Sequence, residues 1–240
     1  MTTGPPSRLP GGGRWWRLGL LAVGLATAGC ASLPRINPAA AAARSRLAAR
    51  CSDLLPERPL RAVHAIAAEL PFAGASSLLG VSLIDPAGQR LRAVLVSVEG
   101  LTLFDASAGP AGLRIHRAVP PLDDPDFGPG LVADVALLLL QPAGEPIAVG
   151  RREDGRGVCR FRGAAGGWVD LLPATAAAPA RIERWGADRR LYRSAVLSRQ
   201  RDPHGLARRV ELTAPGLAGY RLLLDLVEAE PLSPTADLFR

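Results

Sequence analysis

A dozen short stretches rich in Val, Leu, Ile, Ala and Arg, each cut from the next by Gly, Pro or Asp, constrain this chain more than any other feature. They run from Arg61 to Leu70, Ser76 to Ile84, Gln89 to Glu99, Leu101 to Ala106, Leu113 to Val119 and Ile147 to Arg152, then from Gly157 to Arg162, Trp168 to Leu172, Ala180 to Trp185, Arg189 to Ser198, Leu206 to Thr213 and Gly219 to Glu228. Several are joined by hairpin turns of recognisable composition: Asp85-Pro86-Ala87-Gly88, Glu99-Gly100, Glu153-Asp154-Gly155 and Trp185-Gly186-Ala187-Asp188. So many short runs with such tight connections predict an antiparallel meander, closed or nearly closed into a barrel.

Where alternation is clean it assigns faces. Tyr220, Leu222, Leu224 and Leu226 share one side of the last run and Arg221 and Asp225 the other, so that strand covers something apolar with one face only. From Leu91 to Val98 both faces are apolar apart from Arg92, and such a sheet must be covered by core or by an apolar ligand. The expected cover is Pro129 to Gln141. Pro129 suits the start of a helix, Asp134 is the lone acid near its positive end, and Pro142 stops it. Leu131, Val132, Val135, Leu138 and Leu139 repeat at helical spacing, while Ala133, Ala136, Leu137 and Leu140 make the opposite side apolar too. A helix apolar all round is buried on every side or sits against something greasy that comes and goes; a buried strand plus turn is the alternative, since periodicity alone does not separate the two. An Ala-rich run from Ala39 to about Arg50 reads as a short N-terminal helix, ended by Pro56 and Pro59.

The first thirty residues bear on location. Arg14 and Arg17 precede an apolar core from Leu18 to Thr27 and a small pair, Ala28-Gly29, which has the form of a secretory signal. The core is shorter than the roughly 20 apolar residues a bilayer span needs. With Cys30 directly after the small pair, Ala26-Thr27-Ala28-Gly29-Cys30 resembles a bacterial lipobox. That resemblance implies cleavage before Cys30 and its acylation with palmitate-type chains, which places membrane lipid among the partners. The organisation expected is a signal peptide over 1–29, lipidated cysteine and tether over 30–39, a single domain over 40–230 and a flexible tail over 231–240. Cysteine usage agrees with export: with Cys30 acylated, Cys51 and Cys159 remain as an even pair in an oxidising compartment, either a disulfide or two buried thiols.

The residues for chemistry do not assemble. His64, His116 and His204 are scattered, with no second ligand at metal spacing, and no metal or other cofactor is expected. Gly74-Ala75-Ser76-Ser77-Leu78 has leucine where a nucleophile elbow needs its second glycine. The chain has no lysine, which a Walker loop requires, and Gly155-Arg156-Gly157 lacks the third glycine of a dinucleotide loop. Asp123, Asp124 and Asp126 match no calcium-loop spacing and read as a solvated loop. The formal charge of +7 falls to +4 once Arg8, Arg14 and Arg17 leave with the signal, and the arginine pairs lack an aromatic stripe, so no nucleic acid is expected. A catalytic role is not indicated.

The order of parts, namely Cys30, a short tether, a helix, strands including Val94 to Val98, an apolar helical insertion from Leu131 to Leu140, the strand Arg208 to Thr213 and the ending Gly219-Tyr220-Arg221-Leu222-Leu223-Leu224, resembles the LolA/LolB-like lipoprotein-carrier superfamily. Within it the chain looks closer to uncharacterised lipoproteins than to the outer-membrane receptor LolB. The resemblance implies a mainly β (α+β) fold, an incomplete antiparallel β-barrel of about eleven strands with an N-terminal helix and an apolar lid or plug helix, around a cavity for acyl chains of lipids or lipoproteins. Candidate cavity or lid residues are Val94, Val96, Leu131, Val135, Leu138, Leu139, Tyr220, Leu222 and Leu224. Ala31, where an inner-membrane retention signal has aspartate, extends the implication to the periplasmic face of the outer membrane. An envelope protein docked on a cavity-free scaffold is the alternative.

Overall fold

All twelve apolar runs form strands, and a thirteenth lies where a spacer was expected. The computed structural model describes residues 32–70, 74–163, 166–216, 219–233 and 239. The signal segment, Cys30 and most of the expected tail lie outside them. After a two-residue strand β1 (Asn37–Pro38) comes helix α1 (Ala41–Ser52). A first meander follows: β2 (Leu60–Leu70), β3 (Gly74–Asp85), β4 (Arg90–Ser97), β5 (Thr102–Gly109) and β6 (Gly112–Ala118). Helix α2 (Phe127–Leu139) then leads into a second meander: β7 (Ala148–Arg151), β8 (Gly157–Arg162), β9 (Trp168–Leu172), β10 (Ala180–Trp185), β11 (Leu191–Leu197), β12 (Arg209–Ala214) and β13 (Tyr220–Pro231).

The strands make one antiparallel sheet in the order β1-β7-β8-β9-β10-β11-β12-β13-β2-β3-β4-β5-β6, open between its edges β1 and β6. The count is therefore thirteen rather than about eleven. The two meanders meet where β13 pairs along nearly all of β2, from Arg221 opposite Glu69 to Pro231 opposite Leu60, with a bulge between Leu226 and Glu228. This pairing is non-local, and no short-range pattern specifies it. At the free edge β6 is exposed along almost its whole length and carries Arg114 and Arg117, charge that discourages a further strand from adding.

Curvature gives the sheet a concave face, which both helices cover. α1 packs on β7 and β8, where Leu47 fills the space beside Gly157 and Cys51 is bonded to Cys159. α2 lies over both halves. Its C-terminal Leu137, Leu138 and Leu139 join the larger core with Leu171, Ile182 and Leu212, while Val132 joins a smaller cluster with Leu91, Ala93, Leu95 and Phe104. Each such buried side chain contributes on the order of 2 kcal/mol. The helix begins two residues before Pro129, and Gly128 in its first turn permits a close approach to β5 and β6: a β-carbon there would stand 2.7 Å from Ile115 Cδ1. Gln141, just beyond the helix, donates to the carbonyls of Ser52 and Leu55 at 2.7 and 3.2 Å and fastens that end to the chain after α1.

Residues expected to be a free tether before α1 are instead attached to the sheet. Ser32 forms a bridge with Arg190, Leu33 N–H donates to the Arg189 carbonyl at 3.0 Å, Asn37 and Pro38 pair with Arg151 and Gly150, and Ala39 N–H donates to the Val149 carbonyl. Proline and small residues suggested a linker by composition, yet an extended Pro-containing segment is equally suited to an edge strand. At the other terminus Pro231 still pairs with Leu60 and Leu232 N–H donates to the Pro59 carbonyl, so the last strand runs past Glu228.

Candidate functional site

The space between α2 and the concave face is where the site lies. β2 contributes His64, Ile66 and Ala68, β3 contributes Leu78, β4 contributes Leu95, and β13 contributes Tyr220, Leu222 and Leu224, all from alternating inward positions. Two adjoining cavities result. One of about 60 Å³ lies beneath the middle of α2. The other, about 230 Å³, runs beside the first half of the helix toward the strand ends at Ala68, Ser76 and Tyr220. Both walls present almost only apolar surface, although Asp134, Arg193 and Tyr220 border the larger cavity. The larger volume falls short of the roughly 300–1,000 Å³ of ordinary small-molecule pockets, so α2 in this position leaves a groove rather than a full ligand chamber.

Of the residues marked from the sequence, Leu131, Val135, Leu138, Leu139, Leu222 and Leu224 border the smaller cavity, and Leu131, Tyr220 and Leu222 the larger. Val94 reaches the wall of the smaller one, but Val96 reaches neither. On β4 the face turned to the core carries Leu91, Ala93 and Leu95, whereas Val94 and Val96 alternate onto the other, half-buried face. With apolar residues on both faces, alternation could not say which was inner. Ile66, Leu78 and Leu95 were missed for the same reason.

A polar cluster sits inside this apolar surround. Asp134, 3% exposed, points from α2 to the sheet, where Arg193 of β11 donates from Nε to Oδ1 at 2.8 Å and the Tyr220 hydroxyl donates to Oδ2. The Arg193 guanidinium also lies 5.0 Å over the Tyr220 ring and donates to the Tyr192 carbonyl at 2.8 Å. Burial pushes the Asp134 carboxyl above its ordinary value, against the pull of Arg193 and Tyr220. Burial, reinforced by the neighbouring carboxylate, raises the Tyr220 phenol and keeps it protonated. Asp134 therefore stands in the middle of the helix rather than near its positive end, as the polar peg of an otherwise greasy helix. Since a buried charge without its partner is strongly unfavourable, this contact fixes the rotation of α2 about its axis.

His64 is the other titratable group facing inward. Only 5% exposed, it borders the smaller cavity, and burial lowers its pKa to about 4, so it is a neutral imidazole at neutral pH. Among the described residues no group of three or more His, Cys, Asp or Glu is arranged to hold a metal ion. His116 bonds Ser107 through Nε2 at 2.8 Å near the free edge, and His204 lies exposed in the turn after Asp202.

Comparison with solved structures places the architecture. The fold is LolA/LolB-like. A LolA superfamily protein from Nitrosomonas europaea superposes with a TM-score of 0.59 at 11% identity, covering 82% of this chain and 97% of that one. A DUF1329 family protein from Desulfovibrio piger (TM-score 0.43, 12% identity, 82% of this chain and 95% of the other) and a putative outer membrane lipoprotein-sorting protein domain from Vibrio parahaemolyticus (0.41, 10%, 84% and 97%) are more distant matches. No protein-family model matches the sequence, and neither does any curated protein.

Proposed function

We propose that the chain is a membrane-anchored envelope lipoprotein that accepts acyl chains of lipids or lipoproteins between α2 and the concave sheet, as a non-catalytic carrier or receptor. Anchoring at Cys30 and residence on the periplasmic face of the outer membrane are part of this reading and rest on the lipobox-like sequence. The observation that carries the binding role is the apolar-walled groove of about 230 Å³ beside a helix that is apolar on all sides yet pegged by one polar cluster. A helix built only to fill a core has no use for a buried aspartate in its middle. One held by such a peg is stable when closed and exposes a greasy surface of matching chemistry when released. Covering a dozen methylenes of an acyl chain is worth on the order of 10 kcal/mol before ordering costs, enough to displace a helix held by a few contacts.

The test is native mass spectrometry of the domain from Ala31 onward, purified without detergent, followed by lipid extraction. Bound phospholipid or fatty acid at near-stoichiometric yield is the expected result. An empty domain that also refuses a fluorescent fatty-acid probe would make α2 permanent core and favour the scaffold reading, in which the protein docks an envelope partner on its surface.

A further inference from the structure

The attached segment before α1 lies across the convex face, and this determines which end of the half-barrel the anchor holds. Ser32 is bridged to Arg190 beside the start of β11, and Asn37 is paired with Arg151 at the end of β7. Between those points stand β8, β9 and β10.

The face it crosses is the convex one. On β7 Val149 joins the core, so Gly150 faces outward, and a β-carbon on Gly150 would meet Ile36 Cγ2 at 2.9 Å and the Asn37 carbonyl closer still. Glycine is what lets the segment lie so near. The same outward face of β8 to β10 holds Asp170, fully buried, with Arg160 and Arg152 donating to its carboxylate at 2.6 to 2.7 Å, and Glu183 and Trp185 at 4% and 3% exposure. Farther along the sheet the outward Arg209 and Asp225 side chains are 60% and 44% exposed. The convex face is buried at β8 to β10, between the two points where the segment is attached, and exposed farther along the sheet.

Ser32 therefore leaves the fold at one particular end. Strand registers put the β10–β11 and β12–β13 connections, the β4–β5 turn and the start of α2 all at that end. It is also the end toward which the larger cavity runs, at Ala68, Ser76, Phe127 and Tyr220. Val98 and Leu101 project there at 67% and 54% exposure, with Tyr192 at 47%.

Resting on the reading of Cys30 as the acylated residue, we infer that this end is a membrane-docking face. Cys30 precedes Ser32 by two positions in the sequence, so acylation there sets the mouth of the groove on the lipid surface. An acyl chain then passes between bilayer and groove without crossing water, and the protein works at the surface that carries it.

The test uses the full acylated chain in vesicles of phosphatidylethanolamine and phosphatidylglycerol, with an environment-sensitive fluorophore on Val98→Cys or, at the opposite end, on Leu113→Cys. Both sites are exposed, so labelling spares the core. Brominated lipids are expected to quench position 98 at least threefold more than position 113. Inserting a dozen Gly and Ser residues between Ala31 and Ser32 is expected to abolish that difference while the chain still floats with the vesicles. Equal quenching in the parent chain, or a difference that survives the insertion, overturns the docking face. A chain that does not float and has an unmodified Cys30 by mass overturns the anchor reading, and the docking face with it.

Discussion

The two halves of the sheet are covered by unlike means. Around β7 to β10 the concave side is closed by α1, which the Cys51–Cys159 bond fastens to β8, together with the end of α2, and residues 32–38 are attached to β11's start and to β7. Leu171, Ile182 and Cys159 have no exposed surface, and even the charges, Asp170 with Arg160 and Arg152, are buried and paired. From β2 to β6 one helix covers the concave side alone, the cavities lie against it, and β6 is open to solvent. Nothing covalent holds that helix; Gln141 secures one end and Asp134 the middle. The contrast teaches where opening is cheapest. A half covered on both faces and cross-linked serves as a frame, and a half covered by one pegged apolar helix serves as the moving part.

Removing the cross-link tests the frame most severely. Because the bond closes a separation of 108 residues, replacing Cys51 and Cys159 with alanine is expected to lower unfolding free energy by roughly 4 kcal/mol in urea titration. A loss under about 1 kcal/mol would mean that α1 holds its place by packing alone, and the distinction between frame and moving part would weaken.

A somewhat smaller effect is expected from acid, through His64 beneath α2. Its folded pKa of about 4 lies below the 6.5 of the exposed residue, so between those values the unfolded chain binds a proton that the folded chain refuses. Stability therefore falls as pH drops from 6.5 toward 4, by on the order of 3 kcal/mol from this group. His64→Leu should flatten that part of the profile in unfolding curves at matched pH. An unchanged slope would show that water reaches His64 and that the pocket under α2 is looser than its walls suggest.

The smallest change in stability should come from the peg. Asp134→Asn keeps an acceptor for Tyr220 but removes the charge facing Arg193, which is partly exposed and can rehydrate. A loss of about 1–2 kcal/mol is expected, together with several-fold faster uptake of a fluorescent fatty acid in stopped flow. Uptake unchanged from the parent would mean that α2 is not what gates the groove.

The strands and hairpins were legible because their determinants are local: turn residues between apolar runs, and alternation on β13 that put Tyr220, Leu222 and Leu224 on the inner face. The apolar helix was legible within two residues at each end, and the pairing of Cys51 with Cys159 as one of two alternatives. Val94 and Val96 were chosen over Leu95 since a run apolar on both sides carries no marker of its inner face. Asp134 looked like a helix-start acid because its partners, Arg193 and Tyr220, are far away in sequence. Residues 32–38 looked like a linker because nothing in them names the strands they cross.

By itself, then, the sequence determined a mainly β chain with an apolar helix between two meanders, and offered a lipobox-like site for an anchor. Only the tertiary structure decided that β13 joins β2, that α2 is pegged by one buried acid, and that the chain before α1 wraps the convex face and leaves at the mouth of the groove. The reason is physical. Strand and turn preferences act over a few residues, whereas these three features depend on side chains and strand edges brought together from positions distant in the chain, which meet only once the sheet has formed.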